Sequence, residues 1–465
     1  MSFPRYPECK DSGVEWLGQV PVHWYIKTLK YVATYNDEVL PESTSKDYPI
    51  KYVEISDVDE QLGITKWTEY PFASAPSRAR RILKDGDVLI STVRTYLRAI
   101  APVTEPPDGF VGSTGFAVIR PVPGIYYSAL LGYVIRAEWF ISNIISRSVG
   151  VSYPAINASD LVALSLPVPP WKEQKTIAHF LDHETAKIDT LIHEQKRLIE
   201  LLKEKRQAVI SHAVTKGLDP DVPMKDSGVE WLGEVPEHWQ ISKLGHYAVI
   251  LTGFPFPSAS FSHDESDVRL LRGANIGVGS LKWVDTVYWQ LDEGGELPDY
   301  LMKEGQIVLG MDRPWISEGM RIARVTQADM PCLLLQRVAA ITPNSRLDDE
   351  YLYYFLTSEI FKIYVEPDLT GVSVPHISPE QILGFKIPIP DLDEQGKIGR
   401  FIKVQLDQMA ALFKQTNESV EILQERRSAL ISAAVTGKID VRDWQPPADE
   451  SAFQEVARDG QEAIV

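Results

Sequence analysis

The chain has 465 residues, 44% hydrophobic and 24% charged, enough apolar material for more than one core, which excludes wholesale disorder. Its 47 Lys+Arg against 64 Asp+Glu give a net charge of −17. That excludes a uniformly basic surface but not a local basic patch, because salt screens charge beyond about 10 Å. Two cysteines, Cys9 and Cys332, are too few for a disulfide framework or a cysteine zinc cluster and fit a reducing compartment. With no apolar leader at the start and no apolar run of about 18 residues, the reading is a cytoplasmic chain, neither secreted nor membrane-spanning.

The first element is the segment DSGVEWLGQVPVHW at 11–24. Beyond it come short strands with Gly/Pro punctuation: Asp87–Ile90 after the Lys84-Asp85-Gly86 turn, and Phe116–Ile119 before Pro121. A helix is predicted from Tyr127 to Ser146, followed by GVSYP at 150–154. After Pro167-x-Pro169 the texture changes, because residues 172–214 contain no Pro or Gly. Apolar residues fall there at Ile177, Leu181, Ile188, Ile192, Ile199, Leu202, Val209 and Ala213. This is the 3.5-residue period of a coiled-coil seam, and the helix is predicted to stop at Gly217.

At 226–239 the opening segment returns as DSGVEWLGEVPEHW, differing only at Gln19/Glu234 and Val22/Glu237. The later elements follow in phase: Gln306–Leu309, Arg337–Ile341, a helix from about Asp348 to Tyr364, GVSVP at 371–375, and a second seam. That seam runs through Ile398, Ile402, Met409, Phe413, Val420, Leu423, Leu430 and Ala434 to Gly437. The chain is therefore a tandem duplication whose ends agree and whose middles diverge. The predicted organisation is an α+β (mixed α/β) globule at 1–166, a helix at 167–217, a second globule at 218–387 and a second helix at 388–440. A tail at 441–465 is expected to be acidic and disordered. Each helix would be about 60 Å long. Polar residues interrupt the seams at matching heights, with Glu184, Gln195 and Arg206 against Gln405, Thr416 and Arg427, so an antiparallel coiled coil is expected.

Catalytic look-alikes are weak. Val168-Pro169-Pro170-Trp171 lacks the Asn or Asp of an amino-methyltransferase turn. Glu173 reads as a helix-dipole carboxylate, His179 and His183 as a helix face without a third metal ligand, and 275–279 as a turn without a phosphate-loop Lys. Binding signals are stronger. Residues 78–98 carry Arg78, Arg80, Arg81, Lys84, Arg94 and Arg98 against Asp85 and Asp87, with Tyr96 inside the run. Copy two answers with Arg269, Arg272 and Asn275, then Arg313, Trp315, Arg321 and Arg324. Forked Arg and Asn side chains suit phosphates and base edges. The GVSxP segments add Ser152, Tyr153, Ser373 and His376 as candidates.

This order of motifs, repeated twice, resembles the DNA-specificity subunits of type I restriction–modification systems across residues 6–440. The resemblance implies a non-catalytic, prokaryotic subunit. Each globule would be a target-recognition domain reading one half of a split, asymmetric site on double-stranded DNA, and the helices would set the gap. The chain would bind two modification (methyltransferase) subunits and, through them, restriction/translocase subunits. No cofactor is expected on this chain, with S-adenosylmethionine, ATP and Mg on the partners. The family supplies no defined base-reading residue, so the candidates above rest on their chemistry. The runner-up reading is a protein-interaction adaptor without DNA readout.

Overall fold

The computed structural model describes residues 3–291, 297–317, 319–368 and 375–446. Two compact units emerge, and they do not follow the linear copies. One comprises residues 1–196 and 418–465, the other 197–417.

In the first unit, one sheet has the order β6-β5-β8-β1, built from β1 (Ala33–Tyr35), β5 (Val88–Ser91), β6 (Ile100–Pro102) and β8 (Phe116–Pro121). All its pairs are antiparallel. The second sheet has the order β3-β2-β7-β4, from β2 (Pro49–Val53), β3 (Thr68–Pro71), β4 (Ala79–Ile82) and β7 (Phe110–Ser113), with β2 and β7 parallel. The apolar runs of β5 and β8 do not alternate with polar residues because both faces are covered. Val88, Ile90, Ala117 and Ile119 join one core, while Leu89, Phe116 and Val118 join another.

The second unit repeats this. Its main sheet is ordered β13-β12-β15-β9, from β9 (Ala248–Thr252), β12 (Ile307–Gly310), β13 (Ile322–Arg324) and β15 (Val338–Pro343). A smaller sheet, β11-β10-β14, holds β10 (Val268–Leu271), β11 (Tyr288–Trp289) and β14 (Cys332–Leu334). Again alternate residues part: Ile307, Leu309, Ala339 and Ile341 to one core, Val308, Val338 and Ala340 to another. Even the turn before the central strand is matched, since Asp87 Oδ2 accepts Lys84 N at 2.8 Å and Gln306 Oε1 accepts Lys303 N at 2.7 Å.

Each helix predicted before the GVSxP segment is two helices. α1 (Ser128–Ile135) and α2 (Glu138–Arg147) part at extended Ala137. In copy two α4 (Asp349–Thr357) and α5 (Glu359–Val365) part at extended Ser358. Neither junction contains Pro or Gly, so no local breaker announces it. Tertiary contacts set it, among them the Tyr133 hydroxyl on Asp182 at 2.8 Å.

The long helices are α3 (Trp171–Lys216) and α6 (Leu392–Val435). Within the first unit, Ile177, Ala178, Phe180 and Leu181 share a core with Ile431, Ala434 and Val435. Eight residues beyond Leu181 and four before Ile431, Arg427 Nε bonds Asp189 Oδ1 at 2.7 Å. Within the second, Ile210, Ala213 and Val214 share a core with Ile398 and Ile402. Two residues expected in the acidic tail are packed in the first unit: Val441 is buried and Trp444 lies edge-on against Phe180 at 5.6 Å. Residues 447–465 lie outside the described residues. Among the described residues, no helix is long and apolar enough to cross a membrane.

Candidate nucleic-acid interface

Strand β5 ends at Ser91, and the chain turns through Thr92 and Val93 into Arg94-Thr95-Tyr96. Strand β12 ends at Gly310 and turns through Met311 and Asp312 into Arg313-Pro314-Trp315. A residue just after each GVSxP segment is bridged to the turn, Ala155 to Val93 and His376 to Asp312. Arg94 and Arg313 both have left-handed backbones, with φ 50° and 45°. For a side chain other than Gly, Asn or Asp that conformation is strained, of order 1–3 kcal/mol, and such residues cluster at functional sites.

Around Arg94 the surface is aromatic. Its guanidinium lies 4.8 Å from the Tyr153 ring centroid, and Tyr96 and Tyr153 are 52% and 64% exposed. Ser152 is exposed beside Tyr153. Arg78 is exposed, while Arg80 stacks at 5.0 Å on Phe72. In copy two, Arg313 is exposed, its N–H donates to Pro375 O at 2.7 Å, and Lys362 Nζ sits 4.7 Å over the Trp315 ring.

Other candidates have intramolecular work. Arg98 makes a bidentate pair with Glu138 at 2.8 Å and reaches Glu60 at 3.0 Å. Arg321 donates to the carbonyls of Ile276, Asp312 and Gly273, and burial pulls its pKa, like that of Arg81, below the ordinary value. Asn275 is fully buried, bonding Arg272 N and Lys282 O at 3.0 Å. Arg272 donates to the Asp285 carbonyl, and Arg269 to Ala328 O at 3.1 Å while stacking on Trp283. His376 Nδ1 bonds Asp312 at 2.9 Å. Ser373 lies outside the described residues.

The family model for the type I restriction modification DNA specificity domain matches this chain twice, at residues 21–201 and 237–422. The chain belongs to this family. Among its relatives, the type I restriction enzyme MjaVIII specificity subunit of Methanocaldococcus jannaschii is 29% identical, covering 64% of this chain and 67% of that one. The putative MjaX specificity subunit of the same organism is 24% identical over 92% of this chain and 96% of its own. Two solved structures share the fold. One comes from work on complex assembly and conformational transition of the type I R-M system: TM-score 0.71, 23% identity, 90% of this chain and 99% of that one. The other is the HsdS subunit from Thermoanaerobacter tengcongensis: TM-score 0.51, 23% identity, 90% and 98%.

The structure gives the repeated WLGxVPxHW segments a role that sequence reasoning left open. Glu173, expected only to favour the helix dipole, is buried and accepts from Trp24 Nε1 at 3.0 Å, bonds His23 Nε2 at 2.8 Å, and accepts from the Tyr6 hydroxyl. Glu394 holds Trp239 Nε1 at 3.0 Å and His238 Nε2 at 2.9 Å. The clasp joins each segment to the start of its long helix. The signal was the pairing of an HW dipeptide with a PxxxEQ run in each copy, from Pro169 to Gln174 and from Pro390 to Gln395. Among the described residues, no group of three His, Cys, Asp or Glu could hold a metal ion.

Proposed function

We propose that this chain is the DNA-specificity subunit of a type I restriction–modification system in a prokaryotic cytoplasm. Each globule reads one half of a split, asymmetric site, and the chain directs modification and restriction subunits to it without catalysis of its own. S-adenosylmethionine, ATP and Mg belong to those partners. The observation that carries this reading is the matched pair of turns at Arg94 and Arg313. They stand on the same sheet framework, yet present Tyr96 and Tyr153 in one copy and Trp315 and the Asp312–His376 pair in the other. Two readers on one scaffold with different surface chemistry suit two different half-sites.

The long helices pair antiparallel as a coiled-coil spacer. The Arg427–Asp189 pair and the core shared by Ile177–Leu181 with Ile431–Val435 support this in the first unit. The core shared by Ile210–Val214 with Ile398 and Ile402 supports it in the second.

The test is the methylome of a host expressing this chain with a type I modification subunit, beside a host lacking only this chain. A split motif with a fixed gap, present only with this chain, is expected. An unchanged methylome, with the complex shown to assemble, overturns the proposal in favour of an adaptor.

A further inference from the structure

Across Val93-Arg94-Thr95-Tyr96 and Asp312-Arg313-Pro314-Trp315, only the arginine is shared. It is shared in conformation too, since both are left-handed and exposed. Neither has a carboxylate partner among the described residues, although Arg98, four residues after Arg94, is locked to Glu60 and Glu138. A strained, unpaired cation kept at the same place in two diverged surfaces is not there for internal packing. Nor does it suit base readout. A base-reading side chain answers to the base it meets, so two readers of different half-sites have no reason to agree on it. A phosphate is the same chemical group in every sequence.

We infer, resting on the DNA-specificity reading, that Arg94 and Arg313 are equivalent backbone clamps. Each contacts a DNA phosphate in its own half-site and fixes register, leaving sequence readout to the side chains that differ around it. Both arginines are exposed just beyond the end of a central strand, and in the first copy the Tyr153 ring supports the guanidinium face.

The experiment uses this chain assembled with its modification subunits. Binding is measured against salt concentration on three duplexes: the methylome motif, and the motif with either half scrambled. Arg94→Gly and Arg313→Gly remove the guanidinium while accepting the left-handed backbone without strain. Each is expected to weaken binding to all three duplexes by the same factor. The slope of log K against log salt should become shallower by about 0.9 per arginine, with every letter of the methylome motif retained. Arg94→Lys should restore most of the slope, which separates a charge contact from a folding defect. A motif letter turning degenerate in either variant, or a loss confined to the matched duplex, would show base readout and overturn the inference. An unchanged slope overturns it as well. A wild-type complex that binds all three duplexes alike defeats the specificity reading itself, and the inference with it.

Discussion

Glu173 and Glu394 occupy equivalent positions but not equivalent environments, with side chains 6% and 27% exposed. Removing a buried acceptor strands its donors, at about 1–3 kcal/mol for each buried group. Glu173→Ala should therefore destabilise the first unit by about 2–3 kcal/mol, and Glu394→Ala the second by about 1 kcal/mol. Chemical denaturation of the two variants checks the order, and equal losses would contradict the clasp geometry. The cysteines differ more sharply. Cys9 is exposed, whereas Cys332 is buried in the second unit, where burial pushes its thiol pKa up to about 12. A neutral buried thiol is a poor nucleophile. A thiol reagent at pH 8 should label Cys9 alone in the folded chain and both cysteines after denaturation. Rapid native labelling of Cys332 would contradict its burial.

Among the elements, the long helices were legible because a seam is a local periodicity, and both end at left-handed glycines as the sequence indicates. What those glycines meet was not legible. A Cβ at Gly437 would collide with the Pro21 ring and lie 3.2 Å from Trp24, whereas at Gly217 the nearest atom is 3.3 Å away on Trp239. The left-handed backbone alone penalises alanine by about 1–2 kcal/mol. Gly217→Ala should lose about that much stability and Gly437→Ala clearly more, read from denaturation midpoints at constant m-value. Equal losses would mean that the helix end, not its seat against Pro21, decides. The central strands were legible as apolar runs, and their burial on both faces explains why they do not alternate. The breaks at Ala137 and Ser358 were not, because no residue there resists a helix.

For the whole molecule, a modular reader makes a strong prediction. Replacing residues 11–166 with those of a relative of different specificity should change one half of the methylated motif and leave the other intact. Long-read methylation mapping checks it, and a change in both halves would contradict independent readers. Lengthening both long helices by one turn should widen the gap by about one to two base pairs and leave both halves unchanged, at ~1.5 Å of helix rise per residue and ~3.4 Å per base pair.

By itself the sequence determined the duplication, the central strands of each copy, and the two long helices with their apolar period and glycine stops, because period, spacing and self-similarity are local properties. Only the tertiary structure decided how those pieces are used. It drew the first unit from both ends of the chain, and it turned Glu173 from a helix-end carboxylate into a buried acceptor. It also sorted the arginines. Arg98 is spent on Glu60 and Glu138 and Arg321 on backbone carbonyls, while Arg94 and Arg313 stay exposed. The reason is physical: an arginine's availability depends on partners that lie tens of residues away, and no local pattern records which of them the fold brings within reach.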